Sequence, residues 1–289
     1  MKVLLTTDGS ESAEQSIRWF SRLPIAPGST YEIITVASYR VYGMVPENVH
    51  AEFVRLERAH ALESFHRAAA IMQEVGIATV HVLRLGQPAD EITQYAKESK
   101  TDLLVVSAHG MSLLERMLIG STSETVARHA PCSVLVVRGT HSFRSFDSEP
   151  PSITIATDCS DADSQIACQV NAMGLPKNSK LRLVSVIEHP YLLEPTFEYD
   201  VQITRECSAS MDRLARQLES SSSNIEKHLF EKVHVGSCIL GFLVKNPTDI
   251  VVLGDKGRSS VGRFFLGSVS RTILHHAPCS VLIAKRQVE

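Results

Sequence analysis

A glycine motif in the second half of this 289-residue chain has the spacing of a phosphate-binding loop. An apolar run ends at Gly254, two residues separate it from Gly257, and nine more precede Gly267-Ser268. Glycines let a backbone approach an anion closely because they carry no Cβ. Gly267-Ser268 lies at a predicted helix start, where free N–H groups and the helix dipole favour negative charge. The motif therefore predicts a phosphate site.

Two aspartates occupy matching places at the beginning of the two halves. Asp8 follows the first apolar run of the chain, and Asp158 follows the first apolar run of the second half. A carboxylate at the end of a strand can accept hydrogen bonds from an adenine amino group or a ribose hydroxyl. An aspartate in this place can equally cap the helix that follows. Both interpretations stay open from the residues alone.

A repeated heptapeptide shows that the chain is a domain duplication. Residues 129–135 and 276–282 both read His-Ala-Pro-Cys-Ser-Val-Leu, and each copy follows a Gly-Ser pair by the same distance. The period is far longer than that of a solenoid repeat. We predict a first domain over residues 1–140, a polar linker over 141–150 and a second domain over 151–289.

Apolar strands alternate with helical stretches in both halves, which predicts an α/β fold. The continuously apolar strands favour a parallel sheet covered by helices on both faces. In such sheets ligands bind beyond the carboxyl ends of the strands, where the strand order reverses. Each half has five such apolar runs, and we predict the third strand of the second half at Leu229–Val235.

The chain as a whole resembles tandem members of the universal stress protein family. The resemblance rests on the opening Val3-Leu-Leu-Thr-Thr-Asp-Gly-Ser10, on the glycine motif and on the closing heptapeptide of each half. It implies two tandem doubly wound, Rossmann-like domains, each a five-stranded parallel sheet of order 3-2-1-4-5. It also implies binding of ATP, or of AMP or ADP, and dimerisation through the last strand.

The resemblance carries the nucleotide-binding residues of the family onto both halves. An aspartate and a valine would hold the adenine, and the glycines with the start of the last helix would surround ribose and phosphates. In the second half these positions are Asp158, Val186, Gly254, Gly257, Gly267, Ser268 and Val269. In the first half they are Asp8, Val36, Gly110, Gly120, Ser121 and Thr122.

The halves depart from the family pattern in different places. Ser107 replaces the first glycine of the motif in the first half, where its side chain could crowd the ligand or force the loop aside. Cys159 replaces the glycine that follows Asp158, whereas the first half keeps Gly9. Because the second glycine motif is intact, we expect the second half to bind nucleotide better.

The start of the last helix of each half supplies a second contrast. Ser121 with Glu124 has the pattern of a capping box, in which the two side chains bond to the free N–H groups of the first turn. Arg271 stands at the matching position of the second half. Glu124 would repel a terminal phosphate, and Arg271 could reach an anion.

Three functions from different classes fit these features. The first is a nucleotide-binding stress protein that senses or sequesters ATP and hydrolyses it slowly if at all, since the chain has no Gly-x-x-x-x-Gly-Lys-Ser/Thr loop. The second is an interaction protein that no longer needs nucleotide, which Ser107 and Cys159 favour. The third, a nucleotidyl-transfer enzyme, is less favoured because the chain lacks a His-x-x-His or Ser-Gly-Gly cluster near its first strand.

The composition limits partners and location. The net charge of −3 gives no reason to expect binding to nucleic acid or an anionic membrane. The N-terminal apolar run is too short for a secretory signal, so we expect a cytoplasmic protein. The six cysteines form no close pair along the chain, and we expect mostly buried, reduced thiols, with Cys159 the candidate for reactivity.

The last strand of each half would be an exposed apolar sheet edge if it were left unpaired. Exposed edges of this kind favour aggregation. We therefore predict that Ser133–Val137 and Ser280–Ala284 pair within the chain, giving an intramolecular pseudo-dimer. Whether two chains then form a homodimer is left open by the sequence.

Overall fold

The computed structural model describes residues 1–38, 47–109, 119–138, 146, 149–160, 163–188, 197–232, 234–255 and 266–285. Within these ranges, the two repeats have the same order of strands and helices. The predicted site residues Gly110 and Gly257 lie outside the described residues.

The first repeat alternates strands and helices from its first residues to the end of its heptapeptide. Its elements are β1 (Lys2–Thr6), α1 (Glu11–Phe20), β2 (Thr30–Ala37), α2 (Glu47–Glu74), β3 (Val80–Leu85), α3 (Pro88–Glu98), β4 (Leu103–Ser107), α4 (Ser121–His129) and β5 (Ser133–Val137).

The second repeat has the same succession of elements. They are β6 (Ser152–Thr157), α5 (Asp163–Ala172), β7 (Lys180–Glu188), α6 (Phe197–Leu218), β8 (Asn224–Lys232), α7 (Val235–Lys245), β9 (Ile250–Gly254), α8 (Ser268–His276) and β10 (Ser280–Ala284).

Each repeat forms a parallel sheet in the predicted order. In the first, the order is β3-β2-β1-β4-β5, and Leu4 of β1 is in register with Glu32 on one side and Leu104 on the other. In the second, the order is β8-β7-β6-β9-β10. The two tandem doubly wound, Rossmann-like α/β domains are therefore confirmed.

The core of each repeat lies along the central strands. Ile33, Ile34 and Thr35 of β2 are consecutive and all buried, so both faces of the sheet are covered. Helices α1 and α2 contact each other, as do α3 and α4, and both α2 and α3 contact β2. This layering explains why the sequence of the inner strands is continuously apolar rather than alternating.

Local signals in the sequence set several element ends as predicted. Gly76 follows α2 with a φ of +77°, and its N–H donates to the carbonyl of Gln73 at 2.9 Å. This is the left-handed conformation that glycine adopts most easily at the end of a helix. Pro88 occupies the first position of α3, where a missing N–H costs no hydrogen bond.

The prediction for the third strand of the second repeat was wrong in its position. We expected Leu229–Val235, whereas β8 is Asn224–Lys232 and begins directly after the four consecutive serines Ser220–Ser223. Strand β8 lies beside β7 alone within its repeat and carries several charged, partly exposed residues. An apolar run therefore marks only part of such a strand, and the sequence pattern placed its start too late.

The chain separates into two compact units. One contains β1–β5 with α1–α4, and the other contains β6–β10 with α5–α8. The pairing of the last strands, the pseudo-dimer and a homodimer stay predictions. Across the described ranges, none of the helices combines the length and the apolar character needed to span a bilayer.

We expect a buried leucine of the central strand to stabilise the first repeat far more than a leucine of its outer strand. Leu4 is 0% exposed and Leu85 is 37% exposed. Leu4→Ala should lower the free energy of unfolding by about 2–5 kcal/mol, because it leaves a cavity in the core. Leu85→Ala should lower it by less than about 1 kcal/mol. Urea denaturation followed by circular dichroism measures both, and equal losses would contradict this core.

Candidate functional site

A cavity of about 470 Å³ opens at the carboxyl ends of β1, β2 and β4 in the first repeat. Its wall includes five of the residues that the family resemblance predicts, namely Asp8, Val36, Gly120, Ser121 and Thr122. Helices α2 and α3 contribute Glu57, His60 and Ile92 among others. The structure thus brings together the five predicted residues of the first repeat that it describes.

The position of this cavity follows from the strand order. The chain moves from β1 to β2 on one side and later to β4 on the other, so the connections diverge at the tip of β1. Divergence leaves a crevice between the tips, and this switch point is where doubly wound sheets bind ligands. The cavity volume lies within the range of small-molecule sites, roughly 300–1,000 Å³.

Asp8 is oriented by the turn that follows it. Its Oδ1 accepts hydrogen bonds from the backbone N–H of Ser10 at 3.0 Å and from the Ser10 hydroxyl at 2.6 Å. The cap of α1 is Ser10, whose hydroxyl oxygen accepts from the N–H of Ala13 at 3.2 Å. Asp8 is thus exposed at the cavity, held in one orientation, and is not itself the helix cap.

Gly9 lets the loop after β1 lie directly against α2. Its φ is +77°, and a Cβ at this position would lie 2.2 Å from the Ser64 hydroxyl. Arg67 donates from Nη2 to the carbonyl of Gly9 at 2.9 Å, and His60 Nε2 is 3.2 Å from the carbonyl of Asp8. Helix α2 therefore fixes the backbone on both sides of this turn.

The start of α4 presents backbone donors that no side chain caps. Gly120 is the N-cap residue, and its own N–H donates to the carbonyl of Ala108 at 2.7 Å. The capping-box interpretation of Ser121 and Glu124 was wrong, because Ser121 is already the first helical residue. Glu124 instead forms an ion pair with Arg128 at 2.8 Å, one turn further along. A helix start of this kind suits an anion.

Ser107 does not change how the end of the fourth strand is connected to the start of the last helix. Its hydroxyl lies 2.8 Å from that of Ser12 on α1, and its carbonyl accepts from the Ser123 hydroxyl at 2.6 Å. In the second repeat, the carbonyl of Gly254 accepts from the Ser270 hydroxyl at 2.8 Å. The strand and the helix start are therefore connected in the same way, whether a serine or a glycine ends the strand.

The predicted residues of the second repeat occupy the matching elements. Asp158 follows β6 and accepts from the N–H of Ser160 at 3.2 Å, and Val186 lies in β7. Gly254 ends β9, and Gly267 is the N-cap of α8 without a side-chain cap. Ser268 and Val269 follow as the first two residues of that helix.

The loop after β6 differs from its counterpart in the first repeat. Cys159 takes the place of Gly9 and has a φ of +59°, which side-chain-bearing residues seldom adopt. Its Sγ lies 2.7 Å from Sγ of Cys207 on α6. The hydrogen bond between Cys159 and Cys207 and burial both raise the pKa of the Cys159 thiol. A thiol side chain therefore stands in this loop, against a second thiol on α6, where the first repeat has only the Gly9 backbone.

A buried carboxylate at the start of the helix after this loop is a second difference between the two repeats. Asp163 is the fifth residue after Asp158, where the first repeat has Ala13 after Asp8. Its side chain is buried and accepts a hydrogen bond from the Thr157 hydroxyl. Burial raises the pKa of this carboxyl to about 6. The second repeat thus places an acid where the first places a methyl group on its cavity wall.

Several residues of the site could not have been found from the sequence. His60, Ser64 and Arg67 lie on α2, far along the chain from the Asp8 turn that they contact. The helical spacing shows which face of α2 is buried but gives no partner for it. Cys207 likewise has no sequence signal that pairs it with Cys159. By contrast, the difference between Ala13 and Asp163 is visible once the repeats are aligned.

Comparison with known proteins identifies the family. The model of the universal stress protein family matches residues 1–138 and again residues 151–285. The chain belongs to the universal stress protein family. The two matches cover one repeat each, which agrees with the duplication seen in the sequence and in the fold.

Some similar proteins match one repeat of this chain in sequence, and others match the fold of both repeats. A protein of Staphylococcus aureus strain USA300 named as a putative universal stress protein is 30% identical over 138 residues, which are 47% of this chain and 82% of that protein. A universal stress protein structure from Archaeoglobus fulgidus has a TM-score of 0.69 at 20% identity, covering 99% of this chain and 96% of the other. One from Pseudomonas aeruginosa has a TM-score of 0.65 at 14% identity, covering 99% and 93%.

Gly9 should tolerate a methyl group less well than Gly76. Both have a φ of +77°, but a Cβ on Gly76 meets nothing within 4 Å. Gly76→Ala should lower the free energy of unfolding by about 1 kcal/mol through backbone strain alone, and Gly9→Ala by about 2–3 kcal/mol through strain and overlap with Ser64. Urea denaturation compares the two variants. Equal losses would show that the loop does not need its close approach to α2.

The buried Asp163 should make the second repeat less stable as the pH rises. Its pKa is about 6 in the folded protein and about 3.9 in an unfolded chain, so the folded state holds the proton more tightly. The free energy of unfolding therefore falls between about pH 4 and pH 6. Asp163→Asn should remove this fall and gain about 1–3 kcal/mol at pH 7.5, but little at pH 4.

The exposed Asp8 provides the control for this pH dependence. Asp8→Asn should leave the free energy of unfolding of the second repeat unchanged at both pH values, because Asp8 belongs to the first repeat. Denaturation at pH 4 and pH 7.5 checks both variants. A gain for Asp163→Asn that is as large at pH 4 as at pH 7.5 would show that titration is not its cause.

Proposed function

We propose that the first repeat binds an adenine nucleotide, ATP or its mono- or diphosphate, in the cavity at the tips of β1, β2 and β4. The observation that carries this proposal is the convergence of Asp8, Val36 and the start of α4 on one cavity. These elements are separated along the chain, so their meeting is a property of the fold. The family is known from the comparison, whereas the ligand is inferred from the site.

The polar groups of the cavity are arranged asymmetrically, as a nucleotide requires. On the side of β1 and α2, Asp8 and Glu57 offer carboxylate oxygens. On the side of β4 and α4, Ser107, Ser121 and Thr122 offer hydroxyls next to the uncapped helix start. Acceptors suit the amino and hydroxyl groups of adenosine, and donors suit phosphate oxygens. The base would therefore lie towards β2 and the phosphates towards α4.

Apolar residues complete the wall on which a base could lie. Val36 is half-buried near the end of β2, and Ala61 and Ile92 line the same cavity from α2 and α3. Ligand sites commonly combine apolar walls with a few polar groups that fix the orientation of the ligand. A hydrophobic slot beside a carboxylate is what an adenine ring needs.

The contacts of the second repeat favour it less as a nucleotide site. The intact glycine motif led us to expect better binding there. However, Cys159 in the loop after β6 and the buried Asp163 at the start of α5 take the places of a glycine and an alanine of the first repeat, and the carboxylate adds negative charge. We therefore propose the first repeat as the tighter site. Nucleotide binding by the second repeat stays a prediction, and so do its seven site residues Asp158, Val186, Gly254, Gly257, Gly267, Ser268 and Val269.

Within the cell, the protein would act as a nucleotide-responsive stress regulator that hydrolyses ATP slowly if at all. The sequence has no loop of the kind that positions Mg²⁺ in P-loop enzymes. The polar groups that line the cavity suit holding a ligand, and we assign no catalytic residue. A nucleotide that stays bound can report its own concentration, which is the role that we propose.

Matched serine variants at the two helix starts test where the phosphates bind. Ser121 and Ser268 are both exposed and are the first residues of their helices, so an aspartate there favours the helix and leaves the fold intact. Ser121→Asp should weaken ATP binding at least about tenfold by charge repulsion and leave adenosine binding nearly unchanged. Ser268→Asp should leave the tighter site unaffected. Isothermal titration calorimetry with ATP, AMP and adenosine measures each variant.

The possible results separate the alternatives. If Ser268→Asp weakens ATP binding and Ser121→Asp does not, the tighter nucleotide site is in the second repeat. An absence of heat, of a thermal shift with millimolar ATP and of nucleotide co-purified with the protein in mass spectrometry would contradict nucleotide binding altogether. That result would favour an interaction protein that needs no nucleotide. Rapid phosphate release would contradict slow hydrolysis.

A further inference from the structure

Two cysteines of the second repeat that are distant along the chain lie side by side. Sγ of Cys159 is 2.7 Å from Sγ of Cys207, although 48 positions separate them. Both sulfurs are also near the Ser185 hydroxyl, at 3.4 Å and 3.6 Å. Neither belongs to the proposed nucleotide cavity, which lies in the first repeat. This pair therefore needs its own explanation.

The backbone around the pair holds the two thiols in place. Cys159 stands in the turn after β6, where its N–H donates to the Thr157 hydroxyl at 2.8 Å. Cys207 is buried on α6 with 5% of its surface exposed. A disulfide bond is about 2.05 Å long, so only a small movement of one side chain is needed to form it. Residues on a loop and a helix that are already in contact lose little entropy when they are linked.

We propose that Cys159 and Cys207 are an oxidation site that hydrogen peroxide converts to an intramolecular disulfide. Cys159 is the half-buried partner and the one that peroxide can reach, while Cys207 lies behind it. The proposal concerns the second repeat and does not depend on nucleotide binding by the first.

The reaction balances with hydrogen peroxide as the oxidant. The Cys159 thiolate attacks one peroxide oxygen and the O–O bond breaks, so that Cys159 becomes a sulfenic acid. The departing hydroxide takes up a proton and leaves as water. The Cys207 sulfur then attacks Sγ of Cys159, and the sulfenic oxygen leaves as a second water with the Cys207 proton. Two thiols are oxidised and one peroxide is reduced to two waters.

The first of these steps should limit the rate. The surroundings of Cys159 favour its neutral thiol, and only the thiolate attacks peroxide. The second step is intramolecular between adjacent sulfurs, so it is fast once the sulfenic acid exists. The disulfide should therefore form without accumulation of the intermediate, and more slowly than oxidation of an activated thiol.

The crosslink would fix the loop after β6 to α6. That loop contains Asp158 and has an unfavourable backbone conformation at Cys159. A disulfide that closes a loop of this length restricts the unfolded chain and raises stability. Oxidation would thus make the second repeat more rigid beside Asp158.

Peptide mapping of the full chain tests the proposal. The protein is purified under reducing conditions, freed of reductant and treated with hydrogen peroxide, and its remaining thiols are then alkylated. We expect the free thiols to fall from six to four, with a Cys159–Cys207 linked peptide that dithiothreitol releases. The melting temperature should rise by several degrees and return on reduction.

Two variants identify the residues and the order of events. Cys207→Ser should abolish the linked peptide and allow dimedone to trap a sulfenic acid on Cys159. Cys168→Ser removes an exposed cysteine elsewhere in the repeat and should still form the Cys159–Cys207 linked peptide, with its free thiols falling from five to three. Circular dichroism confirms that both variants are folded.

The proposal is overturned if the linked peptide is absent while exposed Cys168 is oxidised in the same sample. It is also overturned if the link appears only after the protein has been unfolded in urea, because the native arrangement would then play no part. These results need no variant, so a folding defect in Cys207→Ser cannot obscure them.

Discussion

The parallel alignment of β1 between β2 and β4 is the constraint on which the rest of the first repeat depends. Because all three strands run in the same direction, their carboxyl ends meet at one edge of the sheet. The connections leave the tip of β1 to opposite sides, which opens a crevice there. The functional groups of the cavity either follow one of these tips or come from a helix that packs beside them.

The two repeats keep this frame and change the side chains within it. The N-cap glycine of the last helix donates to the backbone beyond the fourth strand in both, from Gly120 to Ala108 and from Gly267 to Asp255. In the turn after the first strand and in the first turn of the helix that follows, however, a glycine and an alanine of one repeat are a cysteine and an aspartate in the other. Within the described residues, the duplicated fold thus forms a cavity at the strand tips of the first repeat and holds a buried acid and a pair of thiols in the second.

The sequence predicted the architecture better than it predicted the contacts. Buried parallel strands are marked by apolar runs, and helix ends by Gly76 and Pro88, because these features depend on neighbours along the chain. The start of β8 was misplaced because an outer strand needs few apolar residues. The capping box at Ser121 failed for a related reason, since the motif does not say whether Gly120 or Ser121 is the last non-helical residue.

The sequence alone determined the duplication, the strand-helix alternation and the residue types at the strand tips, because each is a pattern of residues close together in the chain. Only the tertiary structure decided that Arg67 and His60 hold the Asp8 turn, and that Cys207 lies against Cys159. These contacts join a loop to the long helix that follows the second strand. Which residues of that helix reach the loop depends on how the helix packs on the sheet, and no local pattern contains that information.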